Sequence, residues 1–494
     1  MPEKPRTNVV IVMVDNQSAD ALGCYGNAEV RSPHIDRLAA EGAQFDQAYC
    51  PNALCSPGRA SVLTGRMPSE HGVHSWLEDR LMGEWPPDWS AIAEFPALPQ
   101  ILHDAGYATA LIGKYHLGVP HVPQNGFDHW VALVRGHTLS FYDSPVVKDG
   151  REIVAPGHSV DFLTGEAVAF VESRAAEADQ PFFMFVAYNG PYGHWPAIKG
   201  RAENRFAADY DACPMDSVPR SGISQQAIEY VRLQQQFGHK GAGAPDYDAL
   251  LKIPNDVESL RNYYSQNAML DDGVGRIMET LERCSLDNRT LVIYMADHGF
   301  ALGQRGFWGH GVATWPANAH RVAYNVPLIW RDPTRIAPGT RCEALVSNVD
   351  VYASLLDYLE IPAPAAETPS QSFSSYLRGA PLERDDAVFI DEEETRAIRT
   401  PEWLYVTRFK GSRGYPLEDE LYDLTNDQRE LRNVAGDPAN AAVVAHLGKR
   451  IDRFFRRHAD PQFDLWNGGR PKSSSSRPWI WRDAWGEEWG PRTT

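Results

Sequence analysis

The stretch that decides the fold runs from Cys50 to Gly72 and reads CPNALCSPGRASVLTGRMPSEHG. At its centre Cys55, Pro57 and Arg59 stand at C-x-P-x-R spacing. That proline and the glycine after it predict a sharp turn, and residues 60–63 can begin a helix just beyond it. A nucleophile placed there gains from the positive end of the helix and from the fixed Arg59 cation. A lone cysteine is usually a buried structural residue, but this register of cysteine, proline and arginine favours a reactive one.

Composition and charge bound the class of protein. The 494 residues are enough for one large domain and a smaller one, and 43% hydrophobic with 23% charged residues predict a globular core. The formal net charge of -18 argues against binding nucleic acid by bulk electrostatics. It also means that an anionic substrate needs a locally positive pocket. Six cysteines without close pairs of metal-binding type do not indicate a disulfide scaffold.

The apolar run near the N-terminus bears on location. Residues 9–14 end at Asp15 and lack a small-residue cleavage site, so they predict a first strand and not a signal peptide. No apolar stretch of the sequence is long enough to span a bilayer, and we expect no membrane partner. These features favour a cytoplasmic protein.

Short apolar runs alternate with helical patterns along most of the chain. This alternation predicts an α/β fold with a large, mostly parallel central sheet flanked by helices over residues 1–380. Residues 381–494 are predicted to form a smaller C-terminal α+β domain that carries an antiparallel sheet. Predicted strands lie at residues 8–14, 108–112, 181–187 and 291–295, and predicted helices at residues 98–106, 259–282, 345–359 and 441–458.

Two segments do not follow the alternation. Residues 199–255 are rich in Gly, Pro, Gln and Asp with little periodicity, which predicts an insertion that borders a substrate pocket. The tail beyond residue 467 has four serines at 473–476 and four tryptophans after them. Because exposing so many indole rings is unfavourable, we expect the tail to pack on the body of the protein or to join subunits of a homo-oligomer.

Several motifs in a fixed order carry a family resemblance. The C-x-P-x-R stretch and its Leu-Thr-Gly-Arg tail resemble the signature of the type I, formylglycine-dependent sulfatases of the alkaline phosphatase superfamily. The resemblance covers residues 8–440 and implies that residues 1–380 form an alkaline-phosphatase-like catalytic domain. Further matching segments are GKYHLG at 113–118, HWP at 194–196, DHG at 297–299 and ELYDL at 420–424.

The resemblance implies a modified nucleophile and a metal. In that family a formylglycine-generating enzyme converts the signature cysteine, here Cys55, into an aldehyde whose hydrate attacks the substrate. One divalent ion is expected, with Ca²⁺ as the first choice and Mn²⁺ or Mg²⁺ as alternatives. Asn16 stands where the family often has a second carboxylate. The implied metal ligands are Asp15, Asn16, Cys55, Asp297 and His298.

The resemblance also implies roles for five polar side chains. Arg59 and Lys114 would hold the nucleophile and neutralise the sulfuryl oxygens. His116 would accept the proton whose removal expels sulfate. His194 would protonate the leaving group. His310, near the position of a family lysine, ranks second for that role.

The implied activity is that of an arylsulfatase-like sulfuric ester hydrolase acting on a small-molecule sulfate ester. Aryl, alkyl and carbohydrate sulfates all stay open, since Trp195 or Trp308 would suit an aryl ring as well as a sugar face. The alternative is a phosphonate monoester or phosphodiester hydrolase of the same superfamily, for which Asn16 leaves room. A noncatalytic binding protein is disfavoured because the nucleophile, cation and metal positions are retained together.

Overall fold

Strand β1 (Asn8–Val14) lies at the centre of the molecule. The computed structural model describes residues 6–177, 179–220, 222–238, 246–472 and 474–492, and all seven residues of β1 are buried in it. Val10 pairs in parallel with Met184 on one side and with Val292 on the other. Helices cover both faces of such a strand, which explains its uninterrupted apolar sequence.

The described residues form eighteen strands and fourteen α-helices. The strands after β1 are β2 (Ala43–Phe45), β3 (Ala48–Tyr49), β4 (Ala108–Gly113), β5 (His129–Leu133), β6 (Pro145–Lys148), β7 (Arg151–Val154), β8 (Phe182–Ala187), β9 (Thr290–Ala296), β10 (Ala301–Leu302), β11 (Trp308–Gly309), β12 (Leu328–Arg331), β13 (Thr340–Cys342), β14 (Val346–Ser347), β15 (Val388–Glu392), β16 (Thr395–Arg399), β17 (Trp403–Arg408) and β18 (Glu420–Asp423). The α-helices are α1 (Pro33–Ala40), α2 (Cys55–Thr64), α3 (Pro68–His71), α4 (Leu98–Asp104), α5 (Ser159–Ala175), α6 (Ala207–Tyr210), α7 (Gln225–Phe237), α8 (Ala249–Lys252), α9 (Val257–Arg283), α10 (Arg321–Tyr324), α11 (Asp350–Tyr358), α12 (Ser374–Leu377), α13 (Ala441–His458) and α14 (Pro478–Trp485).

The largest sheet has ten strands in the order β13-β2-β12-β9-β1-β8-β4-β5-β6-β7. The five strands from β9 to β5 in that order are parallel, whereas β12, β6 and β7 pair antiparallel with their neighbours. The carboxyl ends of the parallel strands therefore meet at one edge of the sheet. Asp15, Lys114 and Asp297 follow directly after β1, β4 and β9 at this edge. The predicted α/β class is confirmed, and antiparallel strands near the borders make the sheet mixed.

A second sheet consists of the four antiparallel strands β15-β16-β17-β18. Leu447, Ile451 and Phe455 of α13 share an apolar cluster with Ile398 of this sheet. The predicted C-terminal antiparallel sheet with its helix is thus confirmed. Val388 of the small sheet belongs to the same apolar core as β1, and the predicted domain division at residue 380 stays a prediction.

The Trp-rich tail packs on the body of its own chain. Trp479, Trp481 and Trp489 are buried in one cluster with Phe409. Glu393, in the turn between β15 and β16, accepts a hydrogen bond from Trp481 Nε1 at 3.0 Å. These contacts cover indole rings without a second subunit, and the homo-oligomer stays a prediction.

The insertion at residues 199–255 contains α6, α7 and α8, whereas its composition predicted little regular structure. The Ser224 hydroxyl caps the start of α7, and the Ser224 amide donates to Gly306 O at 2.7 Å. Trp315 N donates to a carbonyl of α7 at 2.9 Å. The insertion therefore supports the segment that carries His310. Residues 221 and 239–245 of this insertion, and Ser473 of the tail, lie outside the described residues.

The predicted strands agree with the structure, and among the long predicted helices only one differs clearly in where it begins. α11 begins at Asp350 and not at residue 345, because residues 346–347 pair with β3 as strand β14. All six cysteines are free thiols. Within the described residues no helix combines the length and apolarity that crossing a bilayer requires.

Candidate active site

The C-x-P-x-R stretch forms the first turn of a buried helix. α2 starts at Cys55 itself, so the expected turn before the helix is wrong. Pro57 lies in the first helical turn, where its missing N–H would have no intrahelical partner in any case. A Cβ on Gly58 would lie 2.7 Å from Asp297 O. Glycine is needed here because the start of α2 packs directly on the backbone at the end of β9.

Four donor groups converge beside this helix start. One ligand atom from each of Asp15, Cys55, Asp297 and His298 lies within 4.8 Å of the others. Cys55 Sγ is 3.4 Å from Asp15 Oδ1 and 3.4 Å from His298 Nε2. His298 Nε2 lies 3.7 Å from Oδ1 of Asp15 and 3.7 Å from Oδ1 of Asp297. All four side chains are buried, so two strand ends and one helix start build a candidate metal centre.

The Asn16 amide completes this set. His298 Nδ1 lies 2.9 Å from Gly299 O, which places the proton on Nδ1 and turns the Nε2 lone pair toward the centre. The end of the Asn16 amide nearest the centre is 3.1 Å from His298 Nε2 and 3.2 Å from Asp15 Oδ1. With nitrogen at that end the amide donates to both groups. With oxygen there, lone pairs from three residues converge, and that arrangement fits a divalent cation.

Two buried cations balance the carboxylates. Arg59 Nε donates to Asp297 Oδ2 at 2.9 Å, and Arg59 Nη2 lies 2.8 Å from the same oxygen. Lys114 Nζ contacts Asp15 Oδ2, and Arg59 Nη1 donates to Lys114 O at 2.6 Å. Burial alone would raise the pKa of Asp15, but the Lys114 and Arg59 charges hold it well below its usual range. The pKa of Asp297 is raised by burial and then by the Asp15 charge.

The Cys55 thiol itself is a poor nucleophile in this setting. Its side chain is buried, and burial, followed by the Asp15 charge, raises the pKa of the thiol. Only the thiolate attacks efficiently. The unmodified residue is therefore a protonated thiol at neutral pH.

His194 and His310 lie next to each other beside the centre. Their Nε2 atoms are 3.3 Å apart, and the ring centroids of His310 and His298 are 5.4 Å apart. Burial, and then the charge of His137, lower the pKa of His194 to about 3. Burial, and then His194, lower the pKa of His310 well below its usual range. Both rings are therefore neutral before an anion binds, and one can donate a hydrogen bond to the other.

His116 contacts a second group of polar residues. Its Nε2 is 2.9 Å from Leu77 O, and its ring centroid is 5.3 Å from that of His137. His137 Nδ1 lies 3.2 Å from Asp79 Oδ2. Burial, and then the Lys114 charge, lower the pKa of His116 well below its usual range. Sequence reasoning missed Asp79 and His137, since neither belongs to a motif and they are 58 positions apart.

Aromatic residues frame the site differently from the sequence expectation. Tyr192, which the motifs did not indicate, has Lys114 Nζ 5.5 Å from its ring centroid. Trp308 is buried and donates from Nε1 to a backbone carbonyl at 2.6 Å, so it offers no ring face to a substrate. Trp195 keeps part of its surface exposed, with Lys199 Nζ 5.1 Å from its ring centroid.

Comparison with known proteins gives the family. The sulfatase family model matches residues 7–361. The chain belongs to the sulfatase family. A second model, for the C-terminal region of N-sulphoglucosamine sulphohydrolase, matches residues 319–457 of this sulfatase.

Individual relatives match over nearly the whole chain. The N-acetylglucosamine-6-O-sulfatase of Bacteroides thetaiotaomicron is 26% identical over 512 residues, which cover 93% of this sulfatase and 88% of the relative. A protein solved in complex with its substrate D-glucosamine-2-N,6-O-disulfate has a TM-score of 0.71 at 24% identity, covering 92% of this sulfatase and 98% of that chain. The phosphonate monoester hydrolase of Agrobacterium radiobacter has a TM-score of 0.67 at 22% identity, covering 92% and 97%. These two structures share the fold of this sulfatase.

The predicted family and activity are confirmed by these comparisons. This sulfatase is a sulfuric ester hydrolase. The structure brings together the predicted ligands and, beside them, the two cations and the His194–His310 pair. The roles of the individual site residues stay predictions.

Proposed function

We propose that this sulfatase hydrolyses the sulfate ester of a small carbohydrate, using formylglycine made from Cys55 and one divalent cation. The convergence of Asp15, Cys55, Asp297 and His298 within 4.8 Å carries the proposal. Sugar sulfates are the first choice for two reasons. One sequence relative is named N-acetylglucosamine-6-O-sulfatase, and one protein with the same fold was solved in complex with D-glucosamine-2-N,6-O-disulfate. Aryl and alkyl sulfates serve as test substrates.

Asp15, Asn16, Asp297 and His298 would hold the cation. Carboxylate and amide oxygens dominate this donor set, which favours Ca²⁺, with Mn²⁺ next because of the imidazole, or Mg²⁺. When bound, the cation would polarise an ester oxygen and orient the nucleophile.

Conversion of Cys55 to formylglycine would replace the protonated thiol, a poor nucleophile, with the hydroxyl of an aldehyde hydrate. The hydrate of the aldehyde offers one hydroxyl to attack sulfur and a second whose deprotonation releases sulfate. Because position 55 starts α2, the positive end of the helix faces the charge that develops there.

Arg59 and Lys114 would bind the anion. Arg59 Nη2 forms an ion pair with Asp297 but no well-aligned hydrogen bond among the described residues. It is therefore the guanidinium nitrogen left to donate to a sulfuryl oxygen. Lys114 is held between Asp15 and the Tyr192 ring, so its charge is fixed before substrate arrives.

Three histidines would move protons. Since Nε2 of His116 is engaged by the Leu77 carbonyl, Nδ1 is the nitrogen that can accept the proton of the second hydroxyl. His194 would donate to the leaving oxygen, with His310 as its hydrogen-bond partner. An anion bound beside these neutral rings raises their pKa, which makes the donor form available when it is needed.

Formylglycine is tested by mass spectrometry of the peptide that contains residue 55, after coexpression with a formylglycine-generating enzyme. We expect the aldehyde in wild type and in Cys50→Ser, which removes the neighbouring buried thiol of the same stretch. Cys55→Ser should carry no aldehyde and should lose activity. Full activity of protein in which Cys55 is entirely unmodified would contradict the proposal.

A phosphonate monoester or phosphodiester hydrolase is the second candidate. Two observations favour it: Asn16 replaces a carboxylate, and a phosphonate monoester hydrolase shares the fold. The deciding measurement is kcat/KM for matched 4-nitrophenyl sulfate, phenylphosphonate and phosphodiester substrates on fully modified enzyme. We expect sulfate to be preferred, and a clear preference for either phosphorus ester would make the second candidate the better name.

A further inference from the structure

A second cluster of metal-binding side chains lies beside the active site, and the proposed chemistry gives a role to only one of its members, His116. It consists of Asp79, His116 and His137, and one ligand atom of each lies within 4.8 Å of the others. None of the three belongs to the candidate centre around Cys55. We propose that this cluster is a binding site for a transition-metal ion of the Zn²⁺ type.

His116 provides the first ligand in a prepared form. Its Nε2–H donates to Leu77 O at 2.9 Å, which fixes the tautomer and leaves the lone pair on Nδ1. A backbone carbonyl in this position is the usual outer partner of a metal-binding histidine. The side chain is only 8% exposed, and Nδ1 has no hydrogen-bond partner among the described residues. A buried lone pair of this kind is costly unless a proton donor or a cation meets it.

Asp79 and His137 provide a matching pair of ligands. His137 Nδ1 lies 3.2 Å from Asp79 Oδ2. Two donors about 2.0–2.1 Å from Zn²⁺ at a tetrahedral angle would be about 3.3 Å apart. The carboxylate is also anchored, because Gly136 N donates to Asp79 Oδ1 at 2.8 Å. The pair is therefore spaced as one edge of a tetrahedral site requires.

Space at the cluster suits a fourth, small ligand. A cavity of about 10 Å³, about the room that a single water needs, is lined by Asp79 and His116 of the cluster but not by His137. A Cβ on Gly136 would lie 2.0 Å from His116 Cδ2, so the chain keeps a glycine where a side chain would displace the imidazole.

The donor set selects a different ion from the one at Cys55. Two imidazoles and one carboxylate suit Zn²⁺, whereas Ca²⁺ takes six to eight oxygens. Under the proposed function, a metal on His116 Nδ1 removes the proton acceptor of the sulfate-releasing step. Zn²⁺ at this cluster would thus inhibit the enzyme, and that consequence rests on the proposed function, whereas binding itself does not.

Binding is tested on full-length Cys55→Ser protein saturated with Ca²⁺, so that neither modification nor activity enters the result. Zn²⁺ is measured by equilibrium dialysis with elemental analysis, and Co²⁺ by its visible d–d absorption. We expect one bound equivalent, weakened at least ~10-fold by Asp79→Asn and by His137→Gln. His103→Gln is the matched control, because His103 is an exposed histidine 3.3 Å from Asp104 and 3.4 Å from Asp128 outside any such cluster. Thermal unfolding of each variant checks that it is folded.

Equal Zn²⁺ and Co²⁺ binding by the two cluster variants and the control would overturn the proposal, leaving an ordinary hydrogen-bonded Asp–His pair. The second arm uses modified wild-type enzyme and measures inhibition of sulfate ester hydrolysis by Zn²⁺. Asp79→Asn and His137→Gln should raise the inhibitory Zn²⁺ concentration at least ~10-fold, and His103→Gln should leave it unchanged. Metal binding without any sulfatase activity in the modified enzyme would count against the proposed function and for the site. If the enzyme is active and Zn²⁺ inhibits wild type and the two cluster variants at the same concentration, the result would count against the site.

Discussion

Replacing Arg59 should cost far more stability than replacing the arginine of an exposed ion pair of this protein. Its guanidinium lies 2.8–2.9 Å from Asp297 Oδ2, and both side chains are at most 1% exposed. Arg59→Ala leaves the Asp297 carboxylate buried beside Asp15 without its nearest counter-charge. Breaking a buried ion pair by removing one partner costs about 3–5 kcal/mol, because the uncompensated charge stays in a medium that solvates it poorly.

An arginine–aspartate pair on the surface serves as a control that differs from the buried pair in its exposure to water. Arg201 binds Asp211 through the same two nitrogens, Nε and Nη2, at 2.8 and 2.9 Å, but each nitrogen reaches a different carboxylate oxygen and both side chains are half exposed. Water solvates the aspartate when the arginine is removed. Arg201→Ala should therefore leave the urea midpoint unchanged within error.

The assay is urea unfolding of the metal-free protein, followed by circular dichroism, for wild type and both variants. Arg59→Lys is measured alongside, since it keeps the charge and loses the fork, and should be intermediate. Adding Ca²⁺ should shrink the deficit of Arg59→Ala, because the cation replaces part of the missing charge. Equal midpoints for Arg59→Ala and Arg201→Ala, in protein shown to be folded, would refute the reasoning.

Three further predictions concern proton donation, metal affinity and pH. His194→Ala should lower kcat/KM for an alkyl sulfate by ~10²–10⁴-fold. The loss for 4-nitrophenyl sulfate should be far smaller, because 4-nitrophenolate leaves without a proton. Equal losses for the two substrates would contradict the role of His194 as proton donor. Asn16→Asp should tighten Ca²⁺ binding by about tenfold or more in calorimetry, because it adds a negative charge to the metal ligands. The backbone φ of residue 16 is 63°, a value that aspartate also tolerates. Unchanged affinity would show that the Asn16 amide is not a metal ligand. Burial raises the pKa of Glu392 from 4.5 to about 8. The contribution of Glu392 to stability is therefore fully present below pH 4.5 and is lost as the pH rises to 8. Urea unfolding at several pH values should show this fall in the free energy of unfolding, and Glu392→Gln should make that free energy depend less on pH.

The strand ends of the site could be predicted because their sequence signal is local. β1 and β9 are continuous apolar runs, and the polar residues that follow them, Asp15 and Asp297, must lie where those strands end. Parallel pairing then brings them to one edge of the sheet. The family resemblance of the motifs added Cys55 and Lys114 to the same site.

Contacts between distant segments could not be predicted. Asp79 and His137 lie outside every motif, and only the folded chain places them against His116. The direction of Trp308 was also hidden, because a two-residue strand does not reveal which of its faces is buried. The predicted start of α2 was placed after Pro57 because proline disrupts a helix interior. Proline is accepted in the first turn of a helix, which is where Pro57 lies.

Under the proposed function, the burial of Cys55 limits the time in which this residue can be converted to formylglycine. The residue is 5% exposed, and the loop just before it is held by β15, with Ala53 N donating to Glu392 Oε2 at 2.8 Å and Asn52 Nδ2 to Asp391 O at 2.8 Å. A modifying enzyme would reach the thiol only until β15 has been synthesised and has closed over this loop. Chains grow at ~5–20 residues per second, so the interval between residues 55 and 392 is on the order of tens of seconds. The active fraction of a preparation would therefore depend on how fast the chain is translated as well as on how much modifying enzyme the cell supplies.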